Sequence, residues 1–189
     1  MLFRSDRGAG ALARAAWLSF VTDGSTASES NAVWNGGFET ERLLGWGLDW
    51  RVEKTWGVEV AIDRFVAGAG NRSLRLTFNS FPTLDFDGVT QLMAVEPGRS
   101  YRLRALAKAT DFITRSGIKL QVVVPGTLEQ SLAETQAISG TTGDWVRLET
   151  PVTIPANTSV VKVKVRREPA AEPEGNLTGK VWLDEVTLQ

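Results

Sequence analysis

From Val33 to the C-terminus, apolar and polar side chains alternate with a period of two, as in strands with one dry and one wet face. "GVEVAID" sends Val58, Val60 and Ile62 one way and Glu59 and Ala61 the other, and "RSLRLTF" sets Leu74, Leu76 and Phe78 against Arg75 and Thr77. The same split opposes Tyr101, Leu103 and Ala105 to Arg102 and Arg104, and Ile118, Leu120 and Val122 to Lys119 and Gln121. Val161, Val163 and Val165 oppose Lys162, Lys164 and Arg166, and "WVRLETPVTIP" and "KVWLDEVTL" read as two more strands. Turn chemistry separates the runs, as at Pro97-Gly98, Pro125-Gly126 and Gly140 to Gly143. No amphipathic helix follows residue 33. The pattern predicts an all-β domain over 33–189, roughly ten or eleven short antiparallel strands in a two-sheet sandwich.

Residues 1–32 differ. Early arginines and the apolar patch Ala15 to Val21 read either as a poor signal segment or as a short helix with Leu12, Ala15, Ala16 and Ser19 on one face. Disorder is the third reading. The patch is far shorter than the ~18 apolar residues of a membrane span. "TDGSTASESNA", residues 22–32, reads as a flexible polar linker.

Composition removes several chemistries. The 189 residues hold no His and no Cys, which excludes Ser-His-Asp and Cys-His catalysis, disulfides and thiolate metal sites. With 21 Lys plus Arg against 22 Asp plus Glu, the net charge of -1 gives no global field for nucleic acid. Asp85 and Asp87 lie two apart and Asp49 in another loop, yet nothing casts any of them as a glycosidase acid or nucleophile. A non-catalytic role is expected.

The aromatic inventory is unusual: seven Trp, eight Phe and one Tyr. Trp46, Trp145 and Trp182 sit in strand patterns and read as core or corner residues. Trp50 and Trp56 in "LDWRVEKTW", with Phe81 and Phe86 in "NSFPTLDFDG", have polar neighbours and are the candidates for stacking on a sugar ring. Gln91 shares parity with Val89, Met93 and Val95, so it is either buried and bonded to backbone or an amide reaching a sugar hydroxyl. Arg104, with Arg75, Arg102, Lys119, Lys162, Lys164 and Arg166, falls on outward positions. Gathered on one sheet these form a basic face for uronic acid or phosphate groups; divided and paired with Glu59, Asp63 and Glu149 they are ordinary surface charge. Arg115, in the loop "ITRSG", is placed to donate to a carboxylate or to backbone carbonyls.

Asp184 shares strand parity with Trp182, Val186 and Leu188, which puts a carboxylate on the buried face. Such a group needs a cation, an arginine or several backbone donors.

Taken in order, "NGGFE", Gly45-Trp46, "NRSLRL", "VTQLMAVEPGRSYRLRALAKA", "TGDWVRLETPVTIP" and "VWLDEVTL" resemble the jelly-roll carbohydrate-binding modules of the cellulose-binding family-four-and-nine type, within the galactose-binding-like superfamily. "WNGGFET", "GLDWRV", "LDFDGVTQ", "ITRSGIKL" and "VWLDEVTL" also resemble a C-terminal sandwich domain of bacterial tetratricopeptide-repeat proteins linked to exopolysaccharide production. The first resemblance implies a structural calcium clamping first strand to last, held by Glu39, Asp184 and carbonyls around Asn71. The second implies an upstream helical-repeat domain or a protein partner. The expected function is non-catalytic binding of an extracellular or envelope polysaccharide, in an extracytoplasmic setting (periplasmic, cell-surface or secreted). The alternative is a structural module of an export or biosynthesis assembly that binds protein and no sugar.

Overall fold

The computed structural model describes residues 6–21, 31–81, 83–170 and 175–189. Most of the expected linker, 22–30, and the first five residues lie outside that range. One helix, α1 (Asp6–Val21), precedes ten strands: β1 (Arg51–Val52), β2 (Val58–Asp63), β3 (Ser73–Ser80), β4 (Phe86–Ala94), β5 (Ser100–Ile113), β6 (Lys119–Val124), β7 (Gln130–Glu134), β8 (Val146–Thr153), β9 (Val160–Arg167) and β10 (Leu177–Leu188). They form two five-stranded antiparallel sheets, β1-β4-β9-β6-β7 and β2-β3-β10-β5-β8. The expected jelly-roll sandwich is the fold.

The two-residue period sets what lies between the sheets. Val89, Met93, Leu120, Val122, Val161, Val163 and Val165 line the inner face of the first sheet. Leu74, Leu76, Phe78, Leu103, Ala105, Ala107, Leu148, Val181 and Leu183 line that of the second.

In β10 the simple alternation fails. Val181 and Leu183 point inward, then a bulge between Asp184 and Thr187, with Glu185 at φ 50°, shifts the phase so that Val186 and Leu188 point inward too. Trp182 and Asp184 therefore share no parity with Val186. They face outward, and are buried because the 64–72 loop folds over them. Trp182 donates its indole N–H to Asp63 Oδ2 at 2.9 Å, and Asp63 also accepts from the Phe65 amide at 2.8 Å, which fixes the start of that loop.

The segment 31–39 runs beside the end of β10. Asn31 Oδ1 accepts from the amides of Val33 and Leu188 at 3.0 Å, and the Gly36 carbonyl accepts from the Val186 amide at 2.9 Å. A Cβ on Gly36 would lie 2.0 Å from the Val186 carbonyl oxygen, so only glycine allows this approach. The glycines of "WNGGFET", expected at a strand start, lie instead in a turn segment outside any strand, close-packed against the last strand. Gly36→Ala is expected to destabilise the domain by about 2 kcal/mol or more, lowering the melting temperature by roughly 4–8 °C. An unchanged melting temperature contradicts this packing.

Candidate functional site

The basic residues divide between the two outer faces. On the second sheet Arg75 pairs with Glu59 at 3.0 Å and with Asp63 at 3.4 Å, and Arg102 and Arg104 share Glu149 at 2.5 and 2.9 Å. Arg104 is therefore strand decoration, held by a cross-strand carboxylate, and stands on the sheet opposite the charged face described next. Arg115 is exposed in the loop between β5 and β6.

On the first sheet Lys162, Lys164 and Arg166 of β9 and Lys119 of β6 share one outer face. Lys164 lies between Glu129 at 2.6 Å and Asp87 at 3.4 Å; Lys162 also pairs with Glu129, and Arg166 with Asp85. Lys119 meets Glu134 at 2.8 Å and Glu168 at 3.2 Å. Burial pushes the Glu129 carboxyl up, but the two lysines outweigh it and hold it below its ordinary value. Among the described residues, each of these four cations meets a carboxylate, so the face alternates in charge.

Trp56 and Phe81 stand at the end of the sandwich where β4 begins. They lie across from each other beyond the β2–β3 ladder, whose last bond runs from the Asn79 amide to the Gly57 carbonyl at 2.8 Å. Their rings stack at 5.3 Å between centroids and 17° between planes, and are 71% and 59% exposed. The chain on either side leads to the charged lattice. Glu53 donates its amide to the Gly88 carbonyl at 2.7 Å, and three residues separate Phe81 from Asp85. Two large rings held parallel in water offer an apolar wall beside polar groups, the arrangement that stacks on a sugar's C–H face.

Three other expected ligand contacts are structural. Trp50 is 1% exposed; its ring packs on Phe38 and its indole N–H donates to the Asn35 carbonyl at 3.2 Å. Its polar neighbour Asp49 is itself buried, accepting from the Leu44 and Trp50 amides at 2.5 and 2.8 Å, so polar flanks did not mean exposure. Phe86 opens β4 and meets Phe78 edge-on in the core. Gln91 is fully buried, and its side-chain amide pairs with both the N–H and the C=O of Trp34, at 3.0 and 2.8 Å, replacing a missing ladder partner. Trp46, expected in the core, is half exposed and stands edge-on to Trp17 of α1 at 5.4 Å.

Glu39, Asn71 and Asp184 do come to one place. Asp184 Oδ2 accepts from the Gly68 and Ala69 amides at 2.8 and 3.0 Å, and Oδ1 from the Glu185 amide at 2.7 Å. Glu39 Oε1 accepts from the Asn71 and Arg72 amides at 2.7 and 3.1 Å. Asn71 thus offers its N–H here, not an oxygen. Glu185, which the sequence reading overlooked, converges with Asp184: a Cβ on Gly37 would meet Glu185 Oε1 at 3.0 Å and Asp184 Oδ1 at 3.8 Å. Burial first, and then the other carboxylates, push Asp184 and Glu185 up, whereas the Asn71 amide above all holds Glu39 down. No ready cage of three acidic side chains exists among the described residues. Glu39 also pairs with Arg72 at 3.5 Å, whereas Asp184 and Glu185 have no cation partner among the described residues; hard carboxylate oxygens are the donor chemistry calcium takes, with Glu185 beside Asp184.

Because the fold raises the Glu185 carboxyl above its unfolded value, ionising it costs stability as pH climbs through and past the carboxyl range. In chelator, Glu185→Gln is expected to melt roughly 1–3 °C above the wild type near pH 7. Below about pH 4, where both side chains are neutral, the two proteins should melt together. A lower melting temperature for the variant near neutrality contradicts the repulsion.

No family model and no curated protein matches this sequence. Solved structures do match in shape. A CBM4 structure aligns at a TM-score of 0.57 and 16% identity, covering 82% of this chain and 97% of its own. TmCBM61, solved with β-1,4-galactotriose, aligns at 0.55 and 22%, covering 84% and 97%. The CBM22-2 xylan-binding domain of Paenibacillus barcinonensis Xyn10C aligns at 0.56 and 15%, covering 81% and 96%. The jelly roll is one that carbohydrate-binding modules share.

Proposed function

We propose that this domain binds a polysaccharide without cleaving it, using the Trp56–Phe81 wall and the charged outer face of the first sheet. The observation that carries the reading is the stacked, exposed pair of rings, Trp56 and Phe81. Neighbours of the same fold, CBM22-2 and TmCBM61, bind xylan and a galactotriose. Since each cation of the face is already paired with a carboxylate, a neutral hydroxyl-rich chain suits it better than a uronic-acid polymer. Asp85, Asp87 and Glu129 are tied up in ion pairs, and Glu129 is held in its ionised form, which is the wrong state for a glycosidase acid. Structural calcium at Glu39, Asp184 and Glu185, and an extracytoplasmic setting beside exopolysaccharide machinery, complete the proposal.

Affinity electrophoresis through gels of neutral and uronic-acid polysaccharides, with calcium or with chelator, tests it. At least one neutral polymer is expected to retard the wild type, with Trp56→Ala weakening retardation at least about tenfold, near 1.4 kcal/mol. Calcium should raise the melting temperature of the wild type and not that of Asp184→Ala. Retardation by no polymer, with a partner protein retained, favours the interaction-module reading, for which the exposed Leu12, Phe20 and Trp46 supply an apolar patch.

A further inference from the structure

On the outer face of the first sheet, Glu129 is the one carboxylate, among the described residues, that two cations share. Its Oε1 meets Lys162, and its Oε2 meets Lys164 at 2.6 Å. The other acids there serve one cation each: Glu134 and Glu168 meet Lys119, Asp87 meets Lys164, and Asp85 meets Arg166. Glu129 does not share a strand with the lysines. It immediately precedes β7, and β6 lies between β7 and the lysines' strand β9. Neighbouring strands stand about 4.8 Å apart, so the carboxylate reaches over β6 to meet both ammonium groups.

Each ammonium thus takes one oxygen of the same carboxylate, from successive outward positions of β9. That geometry is a two-point carboxylate site, and a carboxylate brought from outside would be held in the same way. Its surroundings strengthen it. Lys164 is 8% exposed, and Val123, which pairs with Lys162 and shares its outer face, is 1% exposed, so little water reaches the strand beneath. Opposite charges shielded from water attract more strongly. Lys162 has no second carboxylate among the described residues, whereas Lys164 keeps Asp87 at 3.4 Å. Loss of the Glu129 charge therefore frees Lys162 and bares a positive spot on a face that otherwise alternates in sign.

We infer that Glu129 determines specificity: it fills, from within the chain, a carboxylate site built by Lys162 and Lys164, and so keeps uronic-acid polymers off this face. The inference rests on the reading of that face as part of the polysaccharide-binding surface. A uronic-acid unit must displace Glu129 to reach the lysines, and the ion pairs it breaks offset those it makes. A neutral chain breaks none. The preference for neutral chains then comes from exclusion of acidic ones, not from a tighter hold on the neutral.

Affinity electrophoresis of the full chain near pH 7, in gels carrying polygalacturonate, provides the test with the wild type, Glu129→Gln and Glu129→Ala. Both variants are expected to be retarded with an affinity about fivefold or more above that of the wild type. Should one variant fail to fold, the other carries the reading. Glu59→Gln removes the same charge from the second sheet, leaves Arg75 paired with Asp63, and should show no gain. Adding Lys162→Met to Glu129→Gln should abolish the gain. Equal retardation of the wild type and the Glu129 variants overturns the inference. So does a gain that Glu59→Gln matches, which is net charge alone, or one that survives Lys162→Met. A parallel gel with xylan and other neutral polymers reads the sugar-binding function separately. A wild type that none of them retards fails that function, while polygalacturonate still decides whether Glu129 fills the lysine site.

Discussion

The buried carboxylate of Asp184 is the constraint on which the rest of the domain turns. It is fully shielded on the outer side of the central strand β10, and three backbone amides, from Gly68, Ala69 and Glu185, supply the hydrogen bonds that water would otherwise give. Two of those amides belong to the loop that covers Trp182, and the third sits in the bulge that re-phases β10. Satisfying one charge thereby fixes the loop, the bulge and the register of the last residues. Glu39 ties the same loop from the other side, and Gly36 and Asn31 bind the first segment to the end of β10. First and last segments close on one another around this point.

That closure commits the second sheet to structure. Its outer face is taken up by the 64–72 loop, by Trp182 and by ion pairs between neighbouring strands. The first sheet keeps an open outer face, and its charges pair within the face rather than projecting a net field. Beyond the β2–β3 ladder, Trp56 and Phe81 stack and hold a large apolar surface in water. Function is read from that asymmetry.

Much of this was legible in the sequence because period-two burial is a local signal. The valines of β9 and the leucines of β3 point inward as the alternation requires. The phase of β10 was not legible, since one residue at positive φ, Glu185, inverts everything that follows it, and nothing nearby but the acidic pair marks it. Aromatic roles were read poorly for a related reason. Polar neighbours suggested that Trp50 was exposed, but Asp49 is a buried cap for the backbone amides of Leu44 and Trp50, and a polar residue whose partners are backbone groups looks like a surface residue in the sequence. Trp56 and Phe81 are exposed, as their loop positions suggested; that they stack on each other depends on the pairing of β2 with β3, which spacing alone does not give.

The most direct measurement is the response of the indole signals to an oligosaccharide cut from whichever neutral polysaccharide the domain retards. The account predicts that the Trp56 indole resonance shifts on titration while those of the buried Trp50 and Trp182 stay in place. A bound oligosaccharide that leaves Trp56 unmoved would contradict the claim that the Trp56–Phe81 wall is where the sugar lies.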